Sequence, residues 1–343
     1  MQTKRLHYLH LLRVIAICAV VMIHVATPFI NNYGGATQEF IVASIFDSIA
    51  RMGVPLFLMI SGALMLDENR TFDLKKSLLR IVFLFLVWSL FYAFTTIVVR
   101  PLINKETVDV MSFLYSVVSG HYHLWYMYAL AGLYLLTPIL RCFVTKSNKN
   151  IVLYLIFLLM VFQFTTPIMQ LLLNKTNNEQ LITLYQYLNE QIGINLGEGV
   201  VLYYLSGWYI ANFEFSKKKS ITVYLIGILS VLTIILLMQV FSTEYGIIYA
   251  NKNIFIFIYS LAVFLLVKRT YKPNAVVERI VFSLSKLTFG VYALHVAVLS
   301  MAFAIFSREI VCFLPVWLVT VVVSFVLSFV ISKLPFVKKI IKA

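Results

Sequence analysis

Two side chains that cost energy in hydrocarbon share the first apolar run of the chain, LLRVIAICAVVMIHVATPFI, residues 11–30. Arg13 stands near its start and His24 toward its end. Ionisable groups inside an apolar span are expensive and mark functional positions. Imidazole titrates near neutrality, so His24 has the chemistry of a general base. The guanidinium of Arg13 can hold an anion. At about 100° and 1.5 Å per residue, the eleven-residue spacing is roughly three turns plus 20° and 16 Å of rise. Both groups therefore fall on one helix face. A histidine bonded to a neighbouring carbonyl is the plain packing alternative for His24.

Asp47 and Arg51 are spaced i,i+4 and can pair on one face of the second apolar segment. Pro55 leaves the Arg51 carbonyl without its helical donor, which favours a lined cavity over a lipid face. His121 and His123 precede the fourth segment, GHYHLWYMYALAGLYLLTPILR, with Trp125, Tyr126, Tyr128 and Tyr134 behind them. The aromatics read as an interfacial belt or as the wall of a substrate site. Two histidines at i,i+2 do not make a zinc site, and no nearby carboxylate or cysteine completes one. Glu198 opens the sixth segment, where it favours the helix N-terminus or acts as an acid or an orienting partner for His24. His295 falls mid-span in the ninth, as a packing or a functional residue. Arg13, Lys75, Lys76 and Arg80 form a basic mouth, from positive-inside bias alone or as an anion site.

These groups need a bundle to converge them. The chain has 343 residues, 61% hydrophobic and 12% charged, with a mean hydropathy of +0.91. Soluble domains carry about a quarter charged residues. The composition is that of an all-α polytopic membrane protein with a single membrane domain over residues 1–343. Apolar windows predict about ten transmembrane helices, at 11–30, 40–66, 78–99, 123–140, 151–173, 195–213, 221–241, 252–267, 286–306 and 310–332. The second is long enough to tilt or to kink at Pro55. Of the 28 Lys and Arg, 22 fall on the side of the N-terminus, five fall opposite and Arg51 lies within a helix. This places both termini in the cytoplasm. His24, Asp47, Arg51, His121, His123 and Glu198 then all belong to the outer half. The connections 100–122 and 174–194 read as outer loops that rim a cavity. The first span ends in Thr-Pro-Phe-Ile and is a poor cleavable signal.

The +14 net charge is explained by loop cations, and no basic solvent-facing surface for nucleic acid is evident. Cys18, Cys142 and Cys312 show no metal or redox spacing. There is no GxSxG elbow, Walker loop or HExxH motif.

Four stretches, in this order, resemble the acyltransferase 3 family of integral-membrane acyltransferases, in particular its compact branch of surface-polysaccharide O-acetyltransferases. They are Arg13 with ten residues before His24, then RMGVPLFLMISGALML, HLWYMYALAGLYLLTPILR and SLSKLTFGVYALH. The resemblance spans nearly the whole chain. It implies transfer of an acyl group, expected to be acetyl, from cytoplasmic acyl-CoA to a hydroxyl of a glycan or lipid-linked sugar, at the bacterial cytoplasmic membrane. It makes His24 the catalytic residue and Arg13 its functional partner, with acyl-CoA as donor substrate and no tightly bound cofactor. Paired arginines three apart before the family's third helix are linked to donor binding. Here Arg80 matches the second and Ser77 stands at the first, with Lys76 as a substitute point charge.

On this reading Arg13, Lys76 and Arg80 hold the donor and His24 takes a proton from the acceptor or carries the acyl group transiently. Arg51 stabilises the oxyanion, Glu198 or Asp47 orients His24, and His121, His123, Trp125 and Tyr126 line the acceptor side. The alternatives are a proton-coupled transporter or flippase relaying protons through Asp47, Glu198 and His295, and a structural partner in a polysaccharide assembly complex.

Overall fold

A computed structural model of the chain describes residues 7–32, 35, 37–99, 109–176, 178–192, 199–306, 309–335 and 338–341. These residues are helical, with no strand among them. The first helix, α1 (His7–Asn32), packs against the two helical pieces that follow it and against helices from the last quarter of the chain. Its residues enter both apolar cores: Tyr8, Leu9, Leu12 and Ala16 join one, and Ile17 through Ile30 supply the other.

The second apolar segment divides into α2 (Gln38–Ala50) and α3 (Gly53–Met65). The break falls at Arg51–Met52, one turn before Pro55 rather than at it. Proline has no N–H to bond the Arg51 carbonyl, so the helical ladder is interrupted on that residue. Beyond the break, Gly53 lets α3 lie against the α1 backbone: an added Cβ would sit 3.0 Å from the Ala16 carbonyl oxygen.

Asp73 caps α4 (Leu74–Ala93) by accepting from the Lys76 N–H at 2.9 Å, and the helix continues as a π-turn over Phe94–Val99. Asp109 caps α5 (Val110–Ser119) in the same way. Gly120, at φ +74°, then reverses the chain; a Cβ there would meet the Phe85 ring at 2.8 Å. That reversal delivers the 3₁₀ turn Tyr122–Leu124 and α6 (Trp125–Phe143). Next come α7 (Lys149–Thr176), α8 (Glu179–Ile192) and α9 (Val200–Asn212). They are followed by α10 (Lys217–Val240), α11 (Ile254–Thr270), α12 (Ala275–Ser285), α13 (Thr288–Ile305) and α14 (Phe313–Lys333).

All ten apolar windows correspond to helices, with ends shifted by a few residues. The additions are α5, α8 and α12, in segments that read as loops. Each is amphipathic and too short to register as a span. Seven helical stretches are long and apolar enough to cross a membrane: 7–32, 38–65, 74–99, 110–143, 217–240, 288–305 and 310–333. The protein is an all-α polytopic membrane protein. α9 and α11, at 13 and 17 residues, are shorter than these.

Helices α3 and α9 pack backbone against backbone. A Cβ on Gly62 would stand 1.8 Å from the Tyr204 oxygen, and one on Gly207 would stand 2.0 Å from the Met59 oxygen. Two small-residue pairs, Ser61-Gly62 and Ser206-Gly207, thus bring the backbones into direct contact. Two cations, each in the last turn of its own helix, close the C-termini of other helices. Arg141 donates to the carbonyls of Met65, Asp67 and Arg70 at 2.7, 2.9 and 2.9 Å. Lys268 donates to those of Ile210 and Phe213 and pairs with Glu214. These bonds satisfy carbonyls that a helix end leaves without partners.

Candidate active site

One cavity of about 680 Å³ opens along α1 and is lined by Arg13, Val20 and His24 of that helix. The face expected from the eleven-residue spacing is therefore the face that borders the cavity. The volume lies within the range of small-molecule sites, about 300–1,000 Å³. At the Arg13 end stand Ser77 and Arg80 of α4, with Ser285 and Lys286 where α12 gives way to α13. Arg13 lies within electrostatic reach of Tyr126 and Tyr134, which also line the cavity. At the His24 end stand His123, Trp125 and Tyr292. Tyr126 shares a hydrogen bond with Ser61 of α3, tying the aromatic wall to the helix that faces it. No carboxylate lines the cavity among the described residues. It is polarised, with three cations at one end and imidazoles at the other, and favours an anion that is charged at one end only.

Imidazoles from three elements meet at the His24 end. The ring of His24 lies 5.4 Å from Tyr122 and 5.0 Å from His295 of α13, between centroids. His123 lies 5.3 Å from His295, and its Nδ1 is 2.9 Å from the Nδ1 of His121. His121 in turn stacks on Tyr92 of α4, at 4.5 Å and 26°. The backbone of this turn is pinned: the Tyr292 hydroxyl donates to the His123 carbonyl at 2.7 Å. The Tyr92 hydroxyl donates to the Ala293 carbonyl at the same distance. α4, α6 and α13 are thereby fixed around His24.

Asp47 and Arg51 pair with each other through Oδ2 and Nη2, as their spacing predicts. The guanidinium also stacks 4.0 Å over the ring of Tyr249, whose hydroxyl bonds Ser48 and the Ser44 carbonyl. Arg51 is within electrostatic reach of His24, but neither Asp47 nor Arg51 lines the cavity. Asp47 thus contacts Arg51 rather than His24. Lys76 is exposed at the start of α4, and Ser77 and Arg80 border the cavity instead. His121 reaches the site through His123. Glu198 lies outside the described residues.

A family model described as an acyltransferase domain matches residues 6–333. The chain belongs to the acyltransferase 3 family. Neither the curated proteins nor the solved structures gave a match. The matched range contains every residue of the cavity lining of this membrane acyltransferase.

Two features of the acyltransferase site stand outside the acyl-transfer roles read from sequence. Lys286 lines the same cavity as Ser77 and Arg80, with its ammonium 3.9 Å from the centre of the Phe282 ring. Its signal was its place in SLSKLTFGVYALH, one of the family-like stretches. The same stretch ends in His295, which the fold sets against His24.

Proposed function

We propose that this acyltransferase moves an acyl group, with acetyl the expected one, from cytoplasmic acyl-CoA to a hydroxyl of an extracytoplasmic or lipid-linked glycan. The observation that carries the reading is the shared cavity, which joins a cationic mouth at Arg13, Arg80 and Lys286 to His24 roughly 16 Å further along the same helix. A donor with a phosphorylated end and a long neutral arm matches that polarity. Ten spans with both termini in the cytoplasm put the cationic mouth on the side of the CoA pool. Chemistry inside the bundle then serves an outer acceptor without exporting CoA.

Arg13, Arg80 and Lys286 hold the donor phosphates, and Lys76 adds to the field outside the mouth. The arm lies along Val20, Phe57 and Tyr126 and brings the thioester to His24. His24 takes the proton of the acceptor hydroxyl as its oxygen bonds to the thioester carbonyl carbon. The C–S bond then breaks and His24 returns the proton to the thiolate, giving the ester and free CoA. Arg51, held by Asp47, biases the region toward the negative charge that develops on the carbonyl oxygen. His121, His123, Trp125 and Tyr126 border the acceptor's approach, and Glu198 is retained as a further acid at that side. The transporter alternative is weaker, since its relay needs a proton on Asp47, which is ion-paired to Arg51.

The test is His24→Ala in membranes supplied with radiolabelled acetyl-CoA, counting alkali-labile label in the extracted glycan. Transfer should fall by about 10²- to 10⁴-fold, the usual worth of a positioned general base. Label incorporated at the wild-type rate would remove His24 from the chemistry.

A further inference from the structure

The reaction above uses one of the four histidines gathered at the end of the cavity. The most deeply placed of the others, His295, is fully buried. Its Nδ1 lies 2.7 Å from the Tyr292 carbonyl oxygen and 3.2 Å from that of Val291. A carbonyl oxygen only accepts, so Nδ1 carries the proton. In the neutral ring the lone pair is then on Nε2, and that atom is buried without a hydrogen-bond partner. An orphaned buried acceptor is costly and calls for a reason.

The ring nearest to it is that of His24. The centroids are 5.0 Å apart, against 5.3 Å to His123 and 6.2 Å to Tyr292. A spacing near 5 Å suits two imidazoles joined edge to edge by one N–H···N bond of about 3 Å. The planes are inclined at 41°, and rotation of the His24 side chain, which borders open cavity, would align them. Catalytic hydrogen bonds commonly tighten in this way only when substrate is present. His121 and His123 give no comparable fixed point, because either Nδ1 of their 2.9 Å contact can be the donor.

We infer that His295 is a positioning residue for His24: its backbone-locked imidazole accepts the His24 N–H through Nε2 and turns the His24 lone pair toward the acceptor hydroxyl. The inference rests on His24 being the base. As His24 takes the hydroxyl proton it becomes an imidazolium, and its bond to His295 becomes charge-assisted and stronger. The proton then leaves for the thiolate from the cavity-facing nitrogen, and His295 keeps its own proton on Nδ1 throughout. A neutral ring here fills the place that a carboxylate takes in other catalytic histidine pairs.

Two variants of the full chain test this, His295→Leu and His295→Gln, with transfer from labelled acetyl-CoA as the readout. Leucine fills the volume without an acceptor, whereas the glutamine amide oxygen reaches the place of Nε2. His295→Leu should lower kcat by about 10- to 100-fold, with the acetyl-CoA KM changed by less than about twofold. His295→Gln should recover most of the loss. A kcat for His295→Leu within twofold of wild type, or glutamine no better than leucine in folded protein, overturns the inference. Should the variants not fold, ¹⁵N spectra of histidine-labelled wild-type protein decide. A His295 proton on Nδ1 supports the inference, and a proton on Nε2 overturns it. Absence of any transfer by the wild-type protein would instead count against the proposed function.

Discussion

At the residue scale, the division of labour along the cavity is one of charge. Arg13, Arg80 and Lys286 gather at one end, and imidazole and aromatic rings surround His24 at the other. Cations that only bind the donor should change KM and leave kcat nearly untouched. We predict that Arg80→Gln and Lys286→Gln each raise the KM for acetyl-CoA by about tenfold, the scale of one charge-assisted hydrogen bond. Neither should alter the KM for acetyl-pantetheine, which lacks the nucleotide phosphates. Initial rates with the two donors check this, and an equal loss with both would place these cations elsewhere in the mechanism. Arg13 and His24 were legible in the sequence because two costly groups on one face of one helix need no long-range information to be paired. Lys286 and His295 were harder to place. Only tertiary packing brings Lys286 into the cavity that Ser77 lines and sets His295 against His24, and no spacing within a segment encodes either placement.

At the element scale, two joints hold the frame. The α3–α9 contact depends on Gly62 and Gly207, where a side chain would run into backbone rather than into a movable side chain. Gly207→Ala should destabilise by about 3 kcal/mol, the upper end for overpacking, and should lower the unfolding temperature of detergent-solubilised protein. The second joint is the α2–α3 break. Asp47 is fully buried and Arg51 is 20% exposed. Asp47→Ala should cost about 3 kcal/mol, because it strands a mostly buried cation. The double variant Asp47→Ala/Arg51→Met should recover part of that loss. A double-mutant cycle with no coupling would show that the pair does not stabilise this joint. Pro55 announced an irregularity in the sequence, and the break fell at the residue whose carbonyl it orphans. The helices α5, α8 and α12 escaped notice because amphipathic segments of 10 to 14 residues resemble polar loops when read beside apolar spans.

At the scale of the whole molecule, α1 joins the two apolar cores by contributing to both. The apolar runs carried the all-helical architecture, since hydrocarbon forces backbone groups into helices, and the Lys and Arg near helix ends carry the expected topology. Packing adds a second use for some of those cations. Arg141 and Lys268, two of the cations behind that expectation, also close helix ends. Both termini are predicted to face the cytoplasm; cysteines introduced near residues 3 and 342 should react with a membrane-impermeant maleimide in inverted vesicles and resist it in right-side-out ones. The opposite pattern would detach the cationic mouth from the CoA pool.

The central claim is that one cavity takes the donor from the Arg13 mouth to His24. It is tested most directly by a density map of the protein bound to acetonyl-CoA, a ketone analogue that cannot transfer its acyl group. The phosphates should lie against Arg13, Arg80 and Lys286, with the ketone carbonyl beside His24. An analogue seated outside this cavity, or one whose ketone end lies away from His24, would contradict it.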